Sequence, residues 1–273
     1  MITFPNAKIN LGLNIVSRRP DGYHNIETVF YPIPLTDSLE IVPAEGSEST
    51  LTCYGRVVDC PTEKNLVMKA YRMMEKEFGL PPVDIYLVKH IPDGAGLGGG
   101  SSDASFCMKM LNDMFKLGCT AEQLAKMASK IGADCPFFIH NKPMMATGIG
   151  DEFTPTDVCL KGKHLLLVKP DVSVPTKAAY AQVTPAPSAK PIPEILSDGM
   201  ENWQKELVND FEKSVFAQYP SLAEIKRTLL ESGASYAAMS GSGSSIFGIF
   251  SCAEMAEKAA DHFKEYSHFV IQL

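Results

Sequence analysis

The chain has 273 residues, 45% of them hydrophobic and 21% charged, which is enough apolar side chain for a core without metal or disulfide staples. At about 150 residues per domain, that length makes one large domain or two modest ones. With 25 basic against 32 acidic residues the net charge is −7, so no nucleic-acid partner is expected, although a few lysines and backbone amides suffice for a small anion.

The opening residues MITFPNAK lack the basic and apolar regions of a signal peptide. Residues 8–16, KINLGLNIV, alternate Ile9, Leu11, Leu13 and Ile15 with Lys8, Asn10, Gly12 and Asn14. This period of two predicts a half-buried strand with Lys8 and Asn10 on one non-core face. Pro20-Asp21-Gly22 has turn chemistry, and short strands are expected at 38–42 and 50–54. Leu66, Ala70, Met74 and Phe78 mark a helix over 64–78, and DIYLVK at 84–89 a strand. A long helix carries Ala104, Cys107, Met108, Leu111, Met114 and Phe115 on one stripe. Thr120 opens another with a capping box, running to about Ile131 with Gly132 as its C-cap.

Beyond Pro155 the texture changes. A short strand is expected at 165–169, and the proline- and alanine-rich stretch 175–193 reads as a surface excursion. Helices are expected at 199–217 and 221–232, then a strand at 234–239, a Ser/Gly turn, a strand at 245–250, a helix at 253–266 and a last strand at 268–272. The seven cysteines are odd in number with no CxxC pair, so reduced thiols and a cytoplasmic location are expected. No apolar run nears the roughly 18–20 residues that span a bilayer, and none of the six histidines forms an HxxxH pair. No membrane partner and no zinc site are therefore expected, and no side chain is assigned as a metal ligand.

Five glycines crowd PDGAGLGGGSSDAS, between a strand and an amphipathic helix. Glycine lets a ligand approach the backbone closely. The free N–H groups and dipole of a helix N-terminus favour phosphate. Ser101 and Ser102 are candidates to cap that helix or to touch phosphate oxygens or a cation. Gly94, Gly96 and Gly99 also satisfy GxGxxG, but a dinucleotide fold needs a parallel strand after the helix, ending in an acid near position 120. Another helix stands there instead. No GxxxxGK[ST] loop is present either. By itself MSGSGSSIFG, from Met239, is a hairpin turn.

Together PNAKINLGLNI, the glycine loop and MSGSGSSIFG resemble, in order and spacing, the three motifs of the galactokinase, homoserine kinase, mevalonate kinase and phosphomevalonate kinase (GHMP) superfamily. The likeness runs over nearly the whole chain. RRPDGYH and GADCPFF favour a branch with a cytidine diphosphate alcohol as substrate over the homoserine, mevalonate and sugar kinases. The resemblance implies an α+β, two-domain GHMP-kinase fold. Its N-terminal ATP-binding domain, 1–154, would be ribosomal protein S5 domain 2-like, and its C-terminal domain, 155–273, a ferredoxin-like α/β sandwich.

It also implies ATP and Mg2+ as cofactors, with Lys8 and Asp134 as the catalytic pair. The nucleotide would meet Asn65, Lys89, Pro92, Asp93, Gly94, Ala95, Gly96, Leu97, Gly98, Gly99, Gly100, Ser101 and Ser102. The acceptor would meet Asn10, Tyr23, His24, Thr176 and Tyr180, with Tyr23 and Tyr180 sandwiching the pyrimidine and His24 reading its edge. Asp103 stands where some members carry asparagine, and the resemblance gives it no role. Without that context Lys8 is a solvated strand lysine, Asp134 a helix-terminus aspartate and Tyr180 a structural tyrosine. Monomer and homodimer both stay open, and the rival activities are another GHMP small-molecule kinase of homoserine or mevalonate type, the nearest, and a dinucleotide-dependent oxidoreductase.

Overall fold

Apolar alternation dominates the first forty residues, and they are almost wholly extended. The computed structural model describes residues 1–57 and 60–273. In chain order the first elements are β1 (Ile2–Thr3), β2 (Asn6–Arg18), β3 (His24–Thr36), β4 (Ser38–Pro43), β5 (Thr50–Gly55), α1 (Leu66–Phe78), β6 (Val83–Lys89) and α2 (Gly99–Met114). Then come α3 (Ala121–Ala128), α4 (Cys135–His140), β7 (Met144–Thr147), β8 (Glu152–Pro155), β9 (His164–Lys169), α5 (Thr176–Ala181), α6 (Ile192–Ser197) and α7 (Met200–Glu206). The last are α8 (Phe211–Gln218), α9 (Pro220–Glu231), β10 (Tyr236–Met239), β11 (Ile246–Phe250), α10 (Ala253–Ala260) and β12 (Ser267–Gln272). The fold is α+β. No helix among the described residues is long and apolar enough to cross a membrane.

Met1–Ala7, Leu35–Asp93 and Gly98–Lys142 form one compact unit. Its sheet has the order β1-β4-β6-β5, with β5 parallel to β6 and the other pairs antiparallel. Helix α2 packs on α1, α3, α4 and β4. The expected capping box opens α3 at Thr120 and Gln123. That helix ends at Ala128, short of the expected Ile131, because Lys130 and Ile131 already make tighter i→i−3 bonds to Met127 and Ala128. Gly132 is therefore not its cap.

Lys8–Pro34, Gly94–Leu97 and Pro143–Leu273 form the second unit, which takes residues from both sides of position 154. From β9 onward its elements run strand, helices, strand, strand, helix, strand, and close an antiparallel sheet in the order β10-β11-β9-β12. This is the ferredoxin-like arrangement expected of the C-terminal half. A second sheet has the order β2-β3-β7-β8. Leu13, Ile15 and Ile26 share one core cluster with Leu166, Val168, Leu229, Ile246 and Phe250.

Three expectations change. Strand β2 is buried on both faces from Ala7 to Ile15, so its polar residues need internal partners. The helix expected over 199–217 breaks into α7 and α8, because Asn209 pairs with Leu13 of β2 as a parallel bridge. The stretch 175–193 contains α5 and the start of α6, with Ala179 and Ile192 buried.

Candidate active site

The glycine loop lies between β6 and α2, and its apolar residues anchor it. Ala95 and Leu97 are buried, whereas Asp93 and Gly94 are exposed. Helix α2 starts at Gly99, two residues before the expected serines. Its N-cap is Gly98 in the left-handed region (φ 70°), without a side-chain cap. Ser101 and Ser102 therefore lie in the third and fourth helical positions and do not cap. By helix geometry the N–H groups of Gly99, Gly100 and Ser101 lack partners within the helix. The Ser102 hydroxyl is buried and has no hydrogen-bond partner. Glycines, free amides and an unsatisfied hydroxyl suit a polyphosphate. Helix α3 follows α2 with no strand between them, so a dinucleotide site is not built here.

In the second unit Lys8, Asn10 and Gly96 come together. Strand alternation places Lys8 and Asn10 on one face, and Lys8 Nζ donates to Asn10 Oδ1 (2.7 Å) and to the Gly96 carbonyl (3.0 Å). The ammonium lies 4.7 Å from the centroid of the Phe30 ring. Asn10 in turn donates to Thr28 Oγ1 (3.0 Å). Gly96 is held from its other side by Ser240 Oγ (2.9 Å), and a Cβ at Gly96 would stand 2.0 Å from the Ser240 carbonyl oxygen. The Ser/Gly turn at 240–244 thus folds onto the loop. Asp134, in the first unit, occupies the N-cap position of α4 with helical backbone angles and does not cap it with its side chain.

Two expected nucleotide residues have internal partners. Asn65 is the N-cap of α1, its Oδ1 accepting the Val67 N–H (2.9 Å). Lys89, 4% exposed, donates to Asp37 Oδ2 and to Asp103 Oδ2 (2.7 Å). Asp37 Oδ1 meanwhile accepts the N–H groups of His90 (2.5 Å) and Ile91 (2.8 Å), at the entry to the loop. A Cβ on Gly99 would lie 3.3 Å from Lys89 Nζ, so this cluster sits beneath the first residue of α2. Burial pulls the Lys89 ammonium down, but the two carboxylates outweigh it and leave its pKa raised. Burial pushes Asp103 up to about 8 against the attraction of Lys89.

Of the residues expected to meet the acceptor, His24 stacks on Tyr180, with ring centroids 5.0 Å apart and planes at 17°. The expectation paired Tyr180 with Tyr23 across a pyrimidine. Here the ring on Tyr180 is that of His24, and Tyr23 is 61% exposed. Tyr180 also meets the edge of Phe211 at 4.8 Å. Thr176 Oγ1 lies 3.2 Å from Ser242 Oγ, so the segment carrying Tyr180 touches the Ser/Gly turn.

Residues 65–142 match the model of the GHMP kinases N terminal domain, and residues 189–268 that of the GHMP kinases C terminal domain. The chain is 56% identical to 4-diphosphocytidyl-2-C-methyl-D-erythritol kinase of Bacteroides fragilis, over 94% of this chain and 95% of that protein. It is 55% identical to the Parabacteroides distasonis enzyme of that name, over 98% of this chain and 96% of the other. The chain belongs to this family of GHMP kinases. A crystal structure of 4-(cytidine 5'-diphospho)-2C-methyl-D-erythritol kinase matches 99% of this chain and 98% of its own, with TM-score 0.86 and 31% identity. The Methanococcus jannaschii mevalonate kinase shares the fold at TM-score 0.74 and 14% identity, over 100% of this chain and 98% of its own.

Sequence reasoning missed several partners in this GHMP kinase. Asp37 is a buried carboxylate between β3 and β4, and the polar run Thr36-Asp37-Ser38 around it has the look of an ordinary turn. Thr28 and Phe30 stand on β3, a strand not among those expected, whose C-terminal part carries Pro32 and Pro34. In the structure β3 meets β7 at Thr28, Val29 and Phe30, ahead of both prolines. Residues 208–212 were absorbed into a helix that the fold breaks.

Proposed function

We propose that this GHMP kinase transfers the γ-phosphate of ATP to the 2-hydroxyl of 4-diphosphocytidyl-2-C-methyl-D-erythritol, giving the 2-phosphate and ADP, in the non-mevalonate route to isoprenoid precursors. The observation that carries the kinase chemistry is the glycine-opened N-terminus of α2, free of any side-chain cap and lined by the Ser102 hydroxyl. The near full-length identity to enzymes of that name supports the acceptor.

Phosphoryl transfer depends on positioning and on stabilising charge. Asp93 to Ser101 would offer the triphosphate their backbone amides and Ser102 its hydroxyl, with Pro92 leading into the loop, Asn65 nearer the adenosine and Lys89 acting from beneath α2. Asp134 would accept the proton of the attacking hydroxyl. Lys8, already donating to the Gly96 carbonyl, would offset charge on the transferred group. Asn10, Tyr23, His24, Thr176 and Tyr180 would hold the acceptor, with the aromatic rings on the cytosine. Mg2+, when bound, neutralises phosphate charge. Among the described residues no three His, Cys, Asp or Glu side chains stand together to hold it, and the unpartnered Ser102 hydroxyl is one oxygen that could face it. A cytoplasmic location and a division of the chain at 154/155 belong to the same reading. The two family models, one ending at 142 and the other starting at 189, leave the position of that division open.

The test is Asp134→Asn. Turnover is expected to fall by about 10²-fold or more while ADP affinity stays within about twofold, measured by coupled assay and calorimetry. Equal loss of both would remove Asp134 as the base. Turnover of mevalonate or homoserine, without turnover of the cytidyl compound, would overturn the acceptor.

A further inference from the structure

Residues 208–212 have no part in the reading above, yet their polar side chains are engaged with the backbone of two motif segments. Asn209 is 4% exposed. Its Nδ2 donates to the carbonyls of Met239 (2.7 Å) and Gly241 (2.8 Å), and its Oδ1 accepts the Phe211 N–H (3.0 Å). Asp210 Oδ2 accepts the Ile15 N–H of β2 (2.6 Å). Glu212 Oε1 accepts the Met239 N–H (2.8 Å), and its other oxygen pairs with Lys226 (2.6 Å). Along the backbone Leu13 N donates to the Val208 carbonyl and Asp210 N to the Leu13 carbonyl, both at 2.8 Å. Strand β2 is the one that carries Lys8 and Asn10.

A carboxamide has two N–H donors, and at Asn209 both meet carbonyls of one tight turn. That turn reaches the glycine loop. Ser240 Oγ donates to the Gly96 carbonyl (2.9 Å), and Ser245 N to the Ala95 carbonyl (3.3 Å). No closer approach is open, since even a methyl group on Gly96 would collide with the Ser240 carbonyl. Where Asn209 holds the turn therefore decides where residues 95 and 96 of the loop can sit.

We propose that Asn209 is a positioning residue for nucleotide binding: by holding the Met239 and Gly241 carbonyls it sets the Ser/Gly turn against the glycine loop, and so places the loop's backbone for phosphate. Asp210 and Glu212 fix the same segment to β2 and to β10. The inference rests on the proposed reading that this loop receives the phosphates of ATP.

Asn209→Asp tests it, because it preserves the shape and the acceptor for Phe211 but sets oxygens against two carbonyls. In a protein that still unfolds cooperatively, the KM for ATP and the calorimetric Kd for ADP are expected to rise about tenfold, with the KM for the acceptor within about twofold. A merely structural role would move both substrates together. Nucleotide constants within about twofold of wild type, or equal rises for ATP and acceptor, overturn the inference. Should Asn209→Asp not fold, Ser240→Ala removes the side-chain bond from the turn to the Gly96 carbonyl, leaving that of Ser245 N to Ala95, without touching residues 208–212. The same nucleotide-selective rise is then expected, and unchanged ADP affinity overturns the inference. Wild-type protein that does not bind ADP would end the proposed function and this inference together. With wild-type binding intact and both variants binding as tightly, only the positioning role falls.

Discussion

Lys89 shows how a single side chain can depart from its sequence context. The family resemblance sets it among the expected nucleotide residues, yet its ammonium lies between two buried carboxyl groups under the start of α2. Of these, Asp103 is the more weakly satisfied, since its Oδ1 has no partner. Its folded pKa of about 8 lies above the ordinary carboxylate value, so the folded protein holds this proton more tightly than the unfolded chain. The stabilising contribution is complete below about pH 4 and is lost as pH rises through about 8. Asp103→Asn keeps an acceptor for Lys89 and removes the titration. Its Tm is expected to exceed that of wild type by about 2–4 °C at pH 8, with a smaller gap at pH 5, by calorimetric scans at both values. A gap that does not widen with pH would show that Asp103 is ionised throughout.

Among the elements, those set by near neighbours follow the sequence closely and those set by distant partners do not. Helix α3 begins at its capping box, where Thr120 Oγ1 accepts the Gln123 N–H and Gln123 Oε1 accepts the Thr120 N–H. Thr120→Ala should lower stability by about 1 kcal/mol without changing the kinetic constants, which urea unfolding and a steady-state assay would check. An unchanged midpoint would mean that this end of α3 is held by packing alone. Helix α2 begins earlier than its serines because glycine at 98 can take the left-handed angle and start the turn. The break between α7 and α8 has no such local cause. Nothing within residues 199–217 forbids a continuous helix, and the backbone bonds to Leu13 are what interrupt it.

At the scale of the whole molecule, the second unit draws on strands from opposite ends of the chain. Leu13, Ile15 and Ile26 fill the same core as Leu166, Leu222, Leu229 and Phe250. A fragment of residues 155–273 would expose that face. Expressed alone, it is expected to aggregate or to unfold without a cooperative transition, even though it holds every strand of the ferredoxin-like sheet. A sharp calorimetric transition from the isolated fragment would show that β2 and β3 are dispensable to this core.

Whatever depends on neighbours a few residues apart is legible in the amino-acid order alone. The common face of Lys8 and Asn10 follows from strand alternation, the α3 cap from its three-residue spacing, and the anion-ready loop from its glycines. Motif order along the chain was enough to mark the family. Only the tertiary structure decided what those groups touch. It buried β2 on both faces, set Lys8 on the Gly96 carbonyl, laid His24 on Tyr180 and turned Asn209 toward the Ser/Gly turn. The reason is physical: the bond from Ile15 to Asp210 spans 195 positions and that from Ser240 to Gly96 spans 144, and no local periodicity encodes a partner that far away.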